Sequence, residues 1–392
     1  MFRTGMKTPP QEAGFFSGRK KEGRGGMQSL CPLIGGACGP VRRGGYTLKK
    51  TFLIKALLTA AVLCLAVPTV KVRASEPVVV VIDPGHGGEN RGGEVPGQFL
   101  EKELTLQTAL AMKQTLEQFE GVQVYLTRTA DQELSLEERA QIAKAFQADF
   151  LFSLHYNMSA SHEFYGSEIW TSAFGSYYSA GQTFGRLQLA EMAGLGQYSR
   201  GVKTRLSSRG TDYYGVIRAA RELDIPCVII EHCHMDHPVD SHQIDTAQEV
   251  ANMGVSDAIA VAKYFHLKSP SLGLDYTNYA YETVPAPSGA AGPDSTPPSN
   301  VNLTLLSADP STGKVDLRLE AQDAESGVLY YSCSLDGGVS WSTLMPYASL
   351  GTLDFSVTVP KGSQPVILCR AYNGYDKYTE SAAVAPGIFS AE

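Results

Sequence analysis

Short apolar segments alternate with helical segments between Pro77 and about Leu267, and this alternation constrains the fold more than any other feature of the 392-residue chain. The apolar runs 78–82, 150–154 and 227–230 have the length and composition of buried strands. Strands that are separated by helices form parallel sheets, because the chain must cross over before each new strand begins. We therefore predict an α/β domain with a twisted, mostly parallel sheet and helices on both faces.

Local signals predict where individual helices begin and end. Apolar residues recur every three or four positions from Leu106 to Phe119, and Gly121 ends this predicted helix. Ser135 and Glu138 have the spacing of a capping box, in which each side chain accepts a backbone N–H of the other residue. These helices would supply the crossovers of the sheet.

Three of the predicted strands lead to a residue that binds metals or transfers protons. The first strand leads to His86 in the motif Asp83-Pro84-Gly85-His86-Gly87-Gly88, the second to His155 and the third to Glu231. The carboxyl ends of parallel strands meet in one crevice, where open α/β sheets bind their ligands. Two histidines and a carboxylate suit a catalytic zinc with an open position for water, and a further carboxylate is then free for proton transfer. The pattern indicates a hydrolytic metal site.

Four motifs follow one another along the chain: Val81 to Gly88, Leu100-Glu101-Lys102-Glu103, Ser153-Leu154-His155-Tyr156-Asn157 and Val228-Ile229-Ile230-Glu231. In their residues and their order they resemble the motifs of the zinc-dependent N-acetylmuramoyl-L-alanine amidases. Arg128 and Arg139 also stand where that family has an arginine at a strand end and another on a helix. The resemblance covers roughly residues 77–267, about half of the chain.

The resemblance implies a role for each of four residues. His86, Glu101 and His155 would be the zinc ligands, and Glu231 would be the catalytic acid and base. Glu103 is the alternative carboxylate ligand, although the Glu-Lys pair of the family selects Glu101. A helix N-terminus also favours acidic residues for electrostatic reasons alone, so either glutamate has a structural interpretation as well.

The implied substrate is peptidoglycan, and the implied reaction is hydrolysis of the amide between N-acetylmuramic acid and L-alanine. A zinc peptidase that shortens the stem peptides is the alternative enzyme. An inactive peptidoglycan-binding protein is the alternative from another functional class, and the intact set of four residues argues against it.

The sequence departs from the family after Glu231, where three histidines follow within six residues, from His232 to His237. A solvated loop is the default interpretation of this segment. An alternative or second metal site, or partners that support the catalytic residues, are the other interpretations. The spacing lacks the His-Glu-x-x-His pattern of a helical zinc site.

The charge of the chain is concentrated at its start, because residues 1–75 hold 13 of the 33 Lys and Arg residues. The remainder is acidic and has no basic stripe, which excludes a nucleic-acid partner. Lys49, Lys50 and Lys55 precede an apolar stretch too short to span a bilayer, as in a signal peptide. We therefore expect a secreted or cell-wall protein without a membrane contact after cleavage, and a monomer.

The last third of the chain has short alternating strands and no helical period, which predicts a small all-β sandwich. Two segments, Ser326-Gly327-Val328 and Tyr330-Tyr331-Ser332, resemble bacterial immunoglobulin-like modules. Cys333 and Cys369 lie on separate predicted strands, and their pairing across the sandwich is left open. The predicted organisation is an N-terminal extension outside the fold at 1–47, a signal peptide at 48–75, the zinc amidase domain at 76–267, a Pro/Ser/Gly-rich linker at 268–299 and the immunoglobulin-like sandwich at 300–392.

Overall fold

A computed structural model describes residues 76–389 of the chain. The predicted extension at 1–47 and signal peptide at 48–75 lie outside the described residues. Among the residues that are described, none of the helices is both long enough and apolar enough to cross a membrane.

Residues 76–267 form the N-terminal lobe, which is called the catalytic lobe below because it carries the candidate catalytic residues. It is built on a six-stranded sheet in the order β4-β1-β5-β8-β6-β7. Neighbouring strands are parallel except β6 and β8, which are antiparallel. The prediction of a mostly parallel sheet is therefore confirmed. The strands are β1 (Val78–Pro84), β4 (Val122–Leu126), β5 (Phe150–Asn157), β6 (Ser167–Thr171), β7 (Ser199–Thr204) and β8 (Cys227–His234), and the short pair β2 (Glu94–Val95) and β3 (Phe99–Leu100) precedes the first helix.

Helices cover both faces of this sheet, as predicted. Successive strand residues point to opposite faces, so Val80 and Ile82 pack in one core and Val81 packs in the other. The first core lies under α1, α3 and α6, and the second lies under α2 and α4. The helices are α1 (Glu101–Leu116), α2 (Leu136–Ala145), α3 (Gly175–Gly194), α4 (Gly215–Glu222), the short α5 (Pro238–Ser241) and α6 (Ala247–Tyr264).

The predicted capping box begins α2. The Ser135 side chain accepts the backbone N–H of Glu138, and the Glu138 carboxylate accepts the backbone N–H of Ser135. Such a cap contributes about 1 kcal/mol to helix stability. It fixes the start of the helix that carries Arg139 toward the catalytic crevice.

The C-terminal lobe consists of two antiparallel sheets, in the orders β11-β12-β15 and β14-β13-β16-β17, which share one hydrophobic core. The predicted all-β organisation is confirmed, and the immunoglobulin-like classification stays a prediction. The strands are β11 (Ser299–Asp309), β12 (Lys314–Gln322), β13 (Val328–Ser334), β14 (Met345–Pro346), β15 (Thr352–Thr358), β16 (Leu368–Asn373) and β17 (Tyr378–Glu380).

Cys333 and Cys369 lie opposite each other on β13 and β16, which are neighbours in the same sheet. A pairing of the two, which the sequence left open, would therefore lie within one sheet and not across the two sheets, because the strands that carry them are hydrogen-bonded to each other. Both are buried free thiols, with 2.8 Å between the two Sγ atoms.

The segment 268–299, predicted as a linker, contains two short strands, β9 (Lys268–Ser269) and β10 (Leu274–Asp275). Its later part lies against the catalytic lobe. Thr183 Oγ1 on α3 accepts the backbone N–H of Val284, and Ala291 donates its backbone N–H to the carbonyl of Ala173. These bonds give the segment a fixed path along the lobe.

Candidate functional site

The four residues selected from the sequence line one cavity of about 300 Å³. The cavity lies at the carboxyl edge of the sheet, where β1, β5 and β8 end. His155 on β5 and Glu231 on β8 are register partners in this parallel pair. The lining residues are His86, Gly93, Glu101, His155, Tyr156, Asn157, Met158, Tyr214, Ile229 and Glu231.

The loop that carries His86 follows β1 and has an unusual backbone conformation. His86 itself has a φ of 61°, a left-handed conformation that non-glycine residues rarely adopt and that the surrounding structure must enforce. Hydrogen bonds from two buried arginines hold the loop in this conformation. Arg139 donates to the carbonyls of Pro84 and His86, and Arg128 donates to the carbonyls of Pro84 and Gly85.

A buried ion pair holds Arg139 in place. Its Nη1 lies 2.7 Å from Asp83 Oδ1, and both side chains are almost completely buried. Asp83 also accepts hydrogen bonds from Thr127 and Ser153. Because its oxygens are fully engaged on the far side of the loop, Asp83 serves the loop and not the cavity.

His86, Glu101 and His155 converge on one point. Glu101 is the first residue of α1, and its Oε1 lies 3.0 Å from His86 Nε2 and 3.0 Å from His155 Nδ1. The three potential ligand atoms all lie within 4.8 Å of one another. The other ring nitrogen of His86, Nδ1, lies 2.9 Å from Asn90 Oδ1. This oxygen can accept a hydrogen bond from Nδ1–H, which favours the tautomer in which Nε2 has a free lone pair.

The electrostatics of Glu101 suit a cation. Its burial alone would raise the pKa of the carboxyl, but the hydrogen bonds with His155 and His86 lower the pKa far below its ordinary value. The carboxylate is therefore ionised at neutral pH. Glu103, the alternative ligand, is exposed and lies outside the cluster.

Glu231 differs from Glu101 in its surroundings. Its Oε2 is shielded from solvent and has no hydrogen-bond partner among the described residues. Burial raises the pKa of Glu231 well above its ordinary value, and the negative charges of Glu101 and Glu168 raise it further. A raised pKa makes a carboxyl group hold a proton more readily than an ordinary glutamate does, which suits a residue that both accepts and donates protons.

The default interpretation of the histidines after Glu231 as a solvated loop is wrong. Strand β8 continues through His234, and His232 and His234 are buried. His232 Nδ1 lies 2.9 Å from the carbonyl oxygen of His155, and its Nε2 lies 2.9 Å from Asp257 on α6. None of the three histidines belongs to a cluster of potential metal ligands in the part of the chain that the structure describes.

Two side chains at the cavity were not singled out from the sequence. Asn90 orients His86, and Glu168 on β6 accepts a hydrogen bond from Asn157 of the cavity wall. The signal for Glu168 was present, because a carboxylate next to Ile169 and Trp170 in a short strand needs partners to be buried. No comparable signal points to Asn90, because it lies among the polar and glycine residues of a turn.

Comparison with protein families matches residues 80–263 to the model of the N-acetylmuramoyl-L-alanine amidase family Amidase_3. The sporulation-specific N-acetylmuramoyl-L-alanine amidase of Bacillus subtilis (strain 168) is 31% identical over 197 residues, which cover 50% of this chain and 71% of that protein. The N-acetylmuramoyl-L-alanine amidase CwlM of Bacillus licheniformis is 28% identical over 204 residues, which cover 50% of this chain and 72% of that protein.

Among solved structures, Cwp6 from Clostridium difficile matches with a TM-score of 0.45 and 30% identity, over 48% of this chain and 29% of that chain. The family match and the similarity to the B. subtilis amidase cover the lobe that contains the cavity, and the match extends over most of that relative's length. This chain belongs to the N-acetylmuramoyl-L-alanine amidase family.

Proposed function

We propose that this amidase is a secreted zinc enzyme of the bacterial cell wall, in which His86, Glu101 and His155 hold the metal and Glu231 transfers protons. The amidase activity itself follows from the family. The reaction is hydrolysis of the amide between N-acetylmuramic acid and L-alanine in peptidoglycan. The observation that carries the metal proposal is the convergence of the three ligand atoms within 4.8 Å.

The three residues fit zinc in number, type and spacing. A catalytic zinc takes three protein ligands at about 2.0–2.2 Å and keeps a fourth position open. Ligand atoms on a tetrahedron of that size are roughly 3.4 Å apart. Glu101 Oε1 lies 3.0 Å from His86 Nε2 and 3.0 Å from His155 Nδ1, close to that spacing. The ionised state of Glu101 and the hydrogen bond from His86 to Asn90 support the same assignment.

A zinc ion held by these three residues would supply Lewis-acid chemistry: it would polarise the amide carbonyl and lower the pKa of a water molecule in the open position toward about 7. The protein's own part is proton transfer. The Glu231 carboxylate would accept a proton from the attacking water and then donate it to the nitrogen of L-alanine as the amide bond breaks. Its unpartnered Oε2 is available for this role.

Metal content separates the ligands from the proton-transfer residue. We expect His155→Ala and Glu101→Gln to lose bound zinc, because each removes one of three ligands. Glu231→Gln should keep one zinc per chain while its kcat falls by about 10² to 10⁴, the usual contribution of acid and base catalysis. Glu103→Gln is the matched control on the same helix turn and should keep both zinc and activity. A Glu231→Gln protein purified without zinc would show instead that Glu231 is a ligand.

A further inference from the structure

A buried carboxylate on β6 is linked through Arg200 to the C-terminal lobe. Glu168 is 3% exposed and accepts four hydrogen bonds. Oε1 accepts from the side chains of Asn157 and Trp170, at 3.0 Å each. Oε2 accepts from Arg200 at 2.8 Å and from Lys203 at 2.6 Å. Every one of these donors belongs to the catalytic lobe.

On one side, Glu168 supports the wall of the catalytic cavity. Asn157 lines that cavity two residues after His155, and its side-chain amide points to Glu168. Glu168 is also the register partner of Glu231 in the antiparallel pair of β6 and β8. A shift of the Glu168 side chain would therefore move the wall against which a substrate must fit.

On the other side, Glu168 depends on the C-terminal lobe. Arg200 uses its Nε for Glu168, its Nη2 for Asp376 at 2.7 Å and its Nη1 for the Tyr330 hydroxyl at 3.1 Å. Asp376 and Tyr330 both belong to the C-terminal lobe. Tyr330 in turn donates to the carbonyl of Tyr165 in the catalytic lobe.

A second set of contacts lies beside the first. The Tyr375 hydroxyl accepts the backbone N–H of Thr204 at the end of the edge strand β7, and it donates to the carbonyl of the same residue. The Lys203 ammonium lies 5.5 Å from the centres of the Trp170 and Tyr375 rings, one from each lobe. The interface is closed by an aromatic cluster formed by Tyr165, Tyr330, Tyr372, Phe164 and Tyr198.

The C-terminal lobe contributes a negative charge to this buried group. Arg200 and Lys203 are both buried and carry two positive charges next to the single charge of Glu168. Asp376 of the C-terminal lobe supplies the second negative charge. Asp376 is one of two carboxylates that pair with the buried Arg200. Its removal takes away half of this compensation for a buried charge, so it should disturb the geometry of Arg200 and Glu168.

We propose that the C-terminal lobe is part of the structure that shapes the amidase site: Asp376 and Tyr330 hold Arg200 on Glu168, and Glu168 positions Asn157 on the cavity wall. Glu168 is then a positioning residue for substrate binding, and the lobe has a role beyond that of a separate module. This inference rests on the proposed function, because it assigns the cavity to the substrate.

The test uses Asp376→Asn in the full chain, with a soluble N-acetylmuramoyl peptide as substrate. Asparagine keeps the shape of the side chain and tolerates the φ of 63° at this position, but it removes the charge. We expect KM to rise roughly 2- to 30-fold, the range of couplings through such networks. The kcat per zinc-loaded chain should stay within about a factor of two, since no ligand and no proton-transfer group is touched.

Two further variants complete the design. Asp354→Asn removes the carboxylate of an exposed pair with Arg318 on the other sheet of the same lobe, and it should leave KM unchanged. Glu168→Gln should raise KM at least as much as Asp376→Asn does. If Glu168→Gln does not fold, Asp376→Asn decides the question alone.

The outcomes are distinct. A KM for Asp376→Asn equal to that of Asp354→Asn would overturn the inference. The inference would also be overturned if Asp376→Asn only reduced the fraction of folded protein and left the KM of the folded fraction unchanged. Failure of the wild-type chain to cleave the substrate would instead overturn the proposed function.

Discussion

At the residue scale, Gly85 shows how closely the catalytic loop approaches its neighbour. A Cβ atom at this position would lie 2.4 Å from Cε1 of the His155 ring, closer than real atoms come. The Gly85 carbonyl is also held by Thr105 and Arg128. The backbone therefore has no room to retreat, and only glycine allows the His155 ring to lie in its present position.

Substitution of Gly85 should therefore damage the metal site without removing a ligand. We expect Gly85→Ala to weaken zinc binding by about 10- to 100-fold, as changes around ligands typically do, because the His155 ring must move away from Glu101. Gly289→Ala is the control, since the space around Gly289 is open. Competition with a chelator measures both affinities, and equal values for the two variants would contradict this explanation.

Four residues of the site could be chosen from the sequence because each belongs to a motif with a recognisable order. The geometry of these residues could not be predicted in the same way. The left-handed conformation of His86 depends on Arg128 and Arg139, which reach the loop from the segment after β4 and from α2. No local sequence pattern predicts these hydrogen bonds, since each arginine is more than 40 positions from the loop residue that it contacts.

At the element scale, the apolar patterns predicted most strands and helices but not where β8 ends. The pattern ends at Ile230, whereas the strand continues to His234. The histidines in the last part of β8 can be buried because each has a hydrogen-bond partner. His232 contacts Asp257 on α6, and His234 contacts the carbonyl oxygen of Gly166. Those partners are distant in sequence, so hydropathy indicates a loop where the fold makes a strand.

The buried His234 gives the protein a specific pH dependence. Burial, together with the positive charge of Arg200, lowers the pKa of His234 from 6.5 to about 4. The unfolded chain therefore binds a proton at His234 below pH 6.5, while the folded chain does not until about pH 4. Stability is thus lost as the pH falls through this window, by about 2 kcal/mol from His234 between pH 7 and pH 5.

This contribution is measurable by urea unfolding of three proteins at pH 7 and pH 5. Between these values, His234→Gln should lose about 2 kcal/mol less stability than the wild type, because it has no proton to bind. His242→Gln removes an exposed histidine and should behave as the wild type does. An identical pH dependence for His234→Gln and the wild type would show that His234 is not the residue responsible.

At the scale of the whole molecule, the two lobes share a buried interface that composition did not reveal. The segment 268–299 has the Pro, Ser and Gly content of a linker. This composition predicts two separate lobes. The interface is made by tyrosines and charges from distant positions, such as Tyr330 and Arg200. Pairing of this kind is set by the packing of the two lobes and has no periodic signature in the chain.

The most direct test of the account is the chemistry of the products that the full chain releases from purified peptidoglycan. We expect intact stem peptides with a new free amino group on L-alanine, glycan strands without new reducing ends, complete loss of activity with a chelator and its recovery on addition of Zn²⁺. Shortened stem peptides, new reducing ends or release that persists in the chelator would contradict a zinc amidase acting through His86, Glu101, His155 and Glu231.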